Sequence, residues 1–338
     1  MLKRIKFKTP SKVPNKYLQE IVFKYLGCSN DRILFGPGVG KDAAAIKMDN
    51  NKILIVKSDP ITGAVKNIGR FAVVINTNDI AVLGAQPLFF MSTILLPLNS
   101  TLADLEIICR DIDQAAKELN IAVIGGHSEI TSGIKNPIIC GSMLGETTSN
   151  KIVRAQSKPG DLLIMTKSAA LEGTAILAWE KEHFLEKKIG KIAINNAKAF
   201  LNSLSILQEA QLALQIGNIT AMHDPTEGGI LNGIFEMCVA AGVGAKIYED
   251  KIFVAKETRA ICNVFNLDPL RLISSGTLLM SINPQSHDQL LSKLTSSGIK
   301  TAYIGEIQRE KTITLHRRDG TREALTDQNQ DQLWKVFK

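Results

Sequence analysis

Short apolar strands alternate with helical repeats twice along this chain, once on each side of Gln156-Ser-Lys-Pro-Gly160. No other sequence feature restricts the fold as tightly. Strands of this kind, separated by helices, bury their apolar faces in layered α/β or α+β domains. In the first series the run 53–57 (ILIVK) is a short apolar strand. Residues 67–84 predict a helix, because Ile68, Phe71, Ala72, Ile75 and Val82 recur at helical spacing. Residues 89–96 are strand-like. The stretch 101–119 predicts a helix whose Thr101 and Asp104 have the spacing of a capping box. The runs 121–124 and 137–144 are further strands. After the break, a strand is expected over 161–166 and a long helical region over 169–216. A strand over 219–222, a helix from about Pro225 to Ala241 and a strand over 243–247 follow, with more alternation across 277–307. The expectation is two α+β domains, 1–155 and 156–338, and a length of 338 residues agrees with it at about 150 residues per domain.

Composition removes several function classes. With 45% hydrophobic residues two cores can be buried, and disorder is excluded. The longest apolar run, 88–98, is broken well before the roughly 18 residues of a membrane span. The start Met1-Leu2-Lys3-Arg4 is basic and lacks a signal peptide's apolar run, so a cytoplasmic protein is expected. The net charge is +7, but aromatics are only 5% and no Lys/Arg block is long, which disfavours nucleic acid as a partner. A basic cleft for a phosphorylated small substrate fits the same charge. The five cysteines, Cys28, Cys109, Cys140, Cys238 and Cys262, form no C-x-x-C pair, so neither a zinc cluster nor a disulfide framework is expected. Cys109 and Cys238 lie in apolar helical patterns and are expected in the core, and no catalytic thiol is expected.

Four segments could carry chemistry. The first is GPGVGKDAAAI (36–46), where glycines at every second position leave a permissive backbone. It fails the Walker A pattern, since Phe35 stands where the first glycine belongs and Asp42 follows Lys41. A glycine loop ending in a carboxylate suits phosphates bridged by Mg²⁺, and a plain turn into a strand is the competing reading. The second comprises Asp59, at the expected end of the strand through Ser58, with Asn78 and Asp79 inside an apolar helix. Polar residues there must face solvent or serve a purpose such as holding a metal. Together with Asp42 these acidic positions suggest a shared Mg²⁺ site. The third is Gly125-Gly126-His127-Ser128-Glu129, just after a predicted strand. Its glycines would let a ligand approach the backbone, and His127 could contact phosphate or move a proton. The fourth is His223-Asp-Pro-Thr-Glu-Gly-Gly229. Asp224 has the features of an N-cap, Pro225 of the first helical residue and Glu227 of a capping partner. Gly228 and Gly229 are unexplained by capping and could expose amides to a phosphate.

Taken in order, GPGVGKDAAAI, KSDPITGAV, NDIAVLGAQP, GGHSEIT, KPGDLLIMTK and HDPTEGGI resemble the aminoimidazole ribonucleotide (AIR) synthase superfamily across nearly the whole chain. That superfamily includes AIR synthase, HypE, thiamine-monophosphate kinase and selenophosphate synthetase, and the HypE-like branch is the nearest in appearance. The resemblance implies an α/β (α+β) fold of two PurM-like domains, with N-terminal domains pairing in a homodimer to close a β-barrel. It implies ATP and Mg²⁺ as cofactors and phosphorylation of an amide or carbonyl oxygen of a small substrate. By position it implies Asp42, Asp59 and Asp79 as metal and phosphate carboxylates. Gly38, Gly40, Asn78, Gly125, Gly126, Asp224, Gly228 and Gly229 are implied around the nucleotide. Lys41 and His127 replace acidic residues common in relatives and are candidates for catalysis. The chain closes on Leu333-Trp-Lys-Val-Phe-Lys338 rather than the Pro-Arg-Ile-Cys tail of HypE. The expectation is therefore a relative of HypE without its terminal thiol. A small-molecule kinase or a nucleotide-binding assembly factor are the alternatives.

Overall fold

The computed structural model describes residues 12–326 and 331–337. After a short helix α1 (Asn15–Glu20), a first sheet takes β1 (Ile33–Phe35), β2 (Ala44–Lys47), β3 (Lys52–Ile61), β4 (Gln86–Pro97), β5 (Ala122–Thr131) and β6 (Ile138–Thr148). The spatial order is β1-β2-β3-β6-β4-β5. Every pair is antiparallel except β4 with β5, which runs parallel through the crossover helix between them. Two helices, α2 (Ile68–Ala81) and α3 (Leu102–Glu118), lie on one side of this sheet. Thr101 and Asp104 form the expected capping box on α3.

A second sheet takes β7 (Leu162–Thr166), β8 (Ile219–His223), β9 (Gly244–Tyr248), β10 (Leu279–Ile282), β11 (Thr301–Gln308), β12 (Ile313–His316) and β13 (Arg322–Ala324). Its order is β13-β12-β9-β11-β7-β10-β8. The helices of this half are α4 (Leu171–Glu180), α5 (Glu182–Ile189), α6 (Lys191–Ala199), α7 (Leu207–Ile216), α8 (Gly229–Ala241), α9 (Lys256–Phe265) and α10 (His287–Ser296). This is the mixed α/β, two-sheet architecture expected from the alternation. One apolar cluster runs from Phe71 and Ile75 of α2 to Leu171 and Ile176 of α4, so the halves share a core along this seam.

The seam depends on α2. Every residue of this helix except Arg70 is buried, so α2 has no solvent-facing stripe. Its interior includes four consecutive polar residues, Asn76 to Asp79. Asn76 and Thr77 donate to the carbonyls of Ala72 and Val73 one turn back, at 2.9 and 2.8 Å. Asn78 ties the halves together: its Nδ2 donates to the Leu204 carbonyl and to Asp224 Oδ2, both at 2.9 Å, and its Oδ1 accepts from the Ile206 amide at 3.0 Å.

Four expectations need correction. First, β3 does not end at Ser58; it continues through Asp59 and Pro60 to Ile61. The proline is tolerated because β2 pairs β3 no further than Val56, leaving Pro60 without a neighbour on that side. Second, β5 does not stop before the glycine pair but carries Gly125, Gly126 and His127 within it. A Cβ on Gly126 (φ +152°) would overlap the Ser92 carbonyl oxygen of β4, so close strand approach explains that glycine. Third, α8 starts at Gly229, not Pro225, and Asp224 is no cap. Gly228 and Gly229 turn the chain with φ of +80° and +66°. A side chain on Gly229 would come within 2.7 Å of the Leu270 and Leu272 carbonyl oxygens. Fourth, Cys238 is buried as expected but Cys109 is exposed. The buried stripe of α3 is Ile108, Ile112, Ala115 and Ala116, and Cys109 lies one residue round the helix from it.

The face of the first sheet away from α2 is not covered by any of the described residues. Along β4 buried Phe90 alternates with Phe89 and Met91, which are 42% and 38% exposed. Nearly all of the edge strand β5 is exposed.

Candidate active site

The glycine loop, β3, α2, β8 and α8 meet around a cleft of 630 Å³ at the seam between the two halves. The loop reaches α8 because Gly40 has φ +68° and no side chain; a Cβ there would come within 2.5 Å of the Glu236 carbonyl oxygen. Gly38, Gly40, Lys41 and Asp42 line the cleft from the loop, Asp59 from β3 and Asp79 from α2. The alternation of β3 puts Lys57 and Asp59 on its helix-facing side, above Asp79.

Two charged groups organise these residues. In the first, Lys57 Nζ lies 3.2 Å from Asp79 Oδ2 and 3.8 Å from Asp59 Oδ2. Burial works against the lysine's charge, but the Asp79, Asp59 and Asp42 carboxylates overcome it and hold the ammonium above its usual range. Burial pushes the Asp59 and Asp79 carboxyls up, with Lys57 opposing. Asp79 Oδ2 receives no aligned hydrogen bond from the described residues.

In the second, buried His223 stands between two acids. Nδ1 is 2.9 Å from Asp42 Oδ2, and Nε2 is 3.3 Å from Glu236 Oε2. Burial pulls the imidazole down, but Asp42 and Glu236 outweigh it and hold its pKa at about 10. Burial likewise acts against the Glu236 carboxylate, yet His223 and Lys12 bring it to about 2. Lys12 Nζ completes the chain at 3.1 Å from Glu236 Oε1. A charged histidine thus clamps the Asp42 loop of the first half to α8 of the second.

The remaining expected residues lie elsewhere. Asn78 and Asp224 are buried behind the cleft as the hydrogen-bonded pair described above, and a Gly276 amide donates to Asp224 Oδ1 at 3.3 Å. Burial raises the Asp224 carboxyl well above its usual range, with Asn78 opposing. Gly228 and Gly229 serve the turn into α8, with the Gly228 amide donating to Asp331 Oδ2 at 2.7 Å. Gly125, Gly126 and His127 line a separate groove beside Cys109 and Ile112. Of the three, Gly126 shares a cross-strand row with Asp59: Asp59 pairs Gly141, Gly141 pairs Ser92, and Ser92 pairs Gly126, while Gly125 and His127 pair Met91 and Thr93 on either side of that row. Three strand spacings, about 14 Å, separate the ends of that row. Sequence reasoning did not single out Lys57, His223, Glu236 or Lys12 as site residues. A lysine two positions before Asp59 in an apolar strand was the available signal for Lys57. Nothing local announces Glu236 or Lys12.

The description "AIR synthase related protein, N-terminal domain" matches residues 40–147, and the corresponding C-terminal domain matches 158–318. The chain is 29% identical over 288 residues to a Methanocaldococcus jannaschii protein named for hydrogenase expression/formation, covering 84% of this chain and 83% of that one. It is 27% identical over 277 residues to the carbamoyl dehydratase HypE of Rhizobium leguminosarum, covering 79% and 77%. A thiamine-monophosphate kinase of Pyrococcus horikoshii is 28% identical over 247 residues, covering 70% and 74%. Among solved structures, the hydrogenase maturation protein HypE in complex with ATP superposes with a TM-score of 0.73 at 19% identity, covering 94% of this chain and 96% of that one. The chain belongs to the AIR synthase related family and has its PurM-like two-domain fold.

Proposed function

We propose that this family member is a Mg²⁺-dependent, ATP-using enzyme that phosphorylates an amide or carbonyl oxygen of a small substrate, turning that oxygen into a leaving group. The cleft carries the reading: a glycine loop, Lys41, Lys57 and three aspartates converge on one space. Gly38 and Gly40 would let a triphosphate lie against the loop backbone, and the two lysines would meet its oxygens. The donor set fits Mg²⁺ held jointly with phosphates. Asp59 and Asp79 offer hard oxygens, and one of them lacks an aligned hydrogen bond. No three described His, Cys, Asp or Glu side chains converge as a protein-only cage. Mg²⁺ ordinarily takes one or two carboxylates together with phosphates and waters. Asp59 and Asp79 would hold the ion, beside Asp42 in the grip of His223. Bound there, it would neutralise phosphate charge.

The chain's own part is positional. Lys57 would bind the γ-phosphate end and offset charge as the substrate oxygen attacks phosphorus and the bond to the ADP oxygen breaks. Loss of that oxygen as phosphate would then complete a dehydration. The HypE neighbour solved with ATP, and relatives named as a dehydratase and a kinase, support this reading. We extend it to Gly125, Gly126 and His127 as the outer end of the nucleotide site, since Gly126 lies on one cross-strand row with Asp59. We also extend it to a homodimer paired through the uncovered face of the first sheet, where Phe89 and Met91 need a partner. Among the described residues no helix is long and apolar enough to cross a membrane.

Thermal melting tests the core of the proposal. At 100 times Kd, ATP with Mg²⁺ should stabilise by about 2.7 kcal/mol, a rise of about 5–10 °C, and ATP without Mg²⁺ should do much less. A midpoint that saturating ATP and Mg²⁺ leave in place overturns it. A stable phosphorylated product would select the kinase reading over the dehydratase one. Sedimentation as a concentration-independent monomer at micromolar levels would remove the dimer.

A further inference from the structure

A smaller chamber of 50 Å³ opens off the cleft, with Asp59, Thr226, Glu227 and Trp334 in the walls of both. Glu172, Ser275 and Asp331 also line it. Glu172 sits in the first turn of α4, is 3% exposed, and its Oε2 accepts no hydrogen bond from the described residues. Ser275 is fully buried beside Glu172, which it helps to hold, although its Oγ makes no well-aligned hydrogen bond with the described residues. A buried orphan costs about 1–3 kcal/mol, so the unpartnered Glu172 oxygen facing this small space points to a group that satisfies it. Asp331 is held in place by the Gly228 and Leu333 amides, each 2.7 Å from a different carboxylate oxygen. Each of those oxygens keeps a lone pair for another donor.

The charge is one-sided. Asp59, Glu172, Glu227 and Asp331 line the chamber, and among the described residues no Lys, Arg or His does. A phosphate or carboxylate would be repelled there, whereas a cation would be held. Among the described residues no group of three acids, histidines or cysteines has the arrangement of a metal site, which favours a hydrogen-bonding cation over a metal ion. The volume admits a group only a few atoms across.

We infer that this chamber is a substrate subsite for a primary ammonium group, with Glu172, Ser275 and Asp331 as its acceptors. Three acceptors answer the three N–H donors of an ammonium, and Glu172, whose carboxyl burial keeps largely protonated while the chamber is empty, gives up its proton against the ammonium to make a charge-assisted bond. The inference rests on the reading of the main cleft as a nucleotide site, because it then orients the substrate. The phosphates go to Lys41 and Lys57, and the amine end goes to Glu172. Glu172 is a specificity residue in this scheme.

The test is saturation-transfer NMR on the full chain, with and without ATP and Mg²⁺, using propylammonium against butyrate and tetramethylammonium. Propylammonium should receive magnetisation and the other two should not. Glu172→Gln, which keeps shape and removes charge, should weaken propylammonium at least fivefold. Where that variant does not fold, Ser275→Ala carries the same comparison, with a smaller but measurable loss. Propylammonium that binds both variants as it binds the native chain, or that does not bind the native chain, overturns the inference. Failure of ATP and Mg²⁺ to bind tells instead against the cleft reading, and the nucleotide-free arm still decides the chamber.

Discussion

The cleft and the chamber share a wall but solve the problem of buried acid in opposite ways. In the cleft four of the five lining carboxylates lie within ion-pair distance of a cation: Asp79 and Asp59 face Lys57, Asp42 faces His223, and Glu236 faces His223 and Lys12. In the chamber no cation among the described residues pairs with Glu172, and burial pushes its carboxyl up to about 8, with Ser275 opposing the rise and Glu227 and Asp331 adding to it. The first arrangement keeps its charges in place by mutual attraction. The second leaves its demand open to whatever enters. Removing a cation from the cleft should therefore damage the fold, whereas removing an acid from the chamber should not.

The largest expected effect is in the cleft. Lys57→Met strands Asp59 and Asp79 without a counter-charge, and breaking a buried pair this way costs about 3–5 kcal/mol. Denaturant unfolding measures it, and a cost below 1 kcal/mol would mean that the pair is solvated and the contrast is wrong. Next is Asp79→Asn. It should remove most of the Mg²⁺-dependent part of the ATP stabilisation, of order 2 kcal/mol at 100 times Kd, as read from melts with and without the ion. An unchanged Mg²⁺ increment would take Asp79 out of the metal site.

Two pH profiles sharpen the contrast further. His223 has a folded pKa of about 10, above its ordinary 6.5. Its clamp is therefore fully present below pH 6.5 and is lost as pH rises through 10. The stability gap between the native chain and His223→Gln should be widest near pH 6 and should shrink steadily toward pH 10. A gap independent of pH would show an uncharged imidazole. Glu172 gives a profile of comparable size with the opposite sign for the variant. Its folded pKa is about 8 against 4.5, so the native chain loses stability between pH 4.5 and 8 and no more above that. Glu172→Gln should equal the native chain near pH 4 and exceed it by a margin that grows to pH 8. A variant less stable than the native chain at pH 8 would mean that the glutamate is already paired.

Much of this was legible from the residues. The apolar spacing of Ile68, Phe71, Ala72 and Ile75 located α2, and Thr101 with Asp104 located the start of α3, because both signals act within one or two turns. If helical, Asn78 and Asp79 had either to face solvent or to serve a purpose; both are buried, one joining the halves and the other lining the cleft. Local capping logic failed at Asp224, where a tertiary hydrogen bond from Asn78, 146 residues away in sequence, claims the carboxylate that a helix start would have used.

By itself, then, the sequence determined the alternation of elements, the glycine loop and which acids were candidates, since these follow from backbone freedom and from spacing along one strand or helix. Only the tertiary structure decided which of those acids meet, and with what. His223 and Glu236 lie 13 residues apart, but each finds its other partner, Asp42 or Lys12, at the far end of the chain. Glu172 and Ser275 come together although they are 103 residues apart. Electrostatic energy depends on distance in space and on loss of water, and neither is encoded at the position of a single residue.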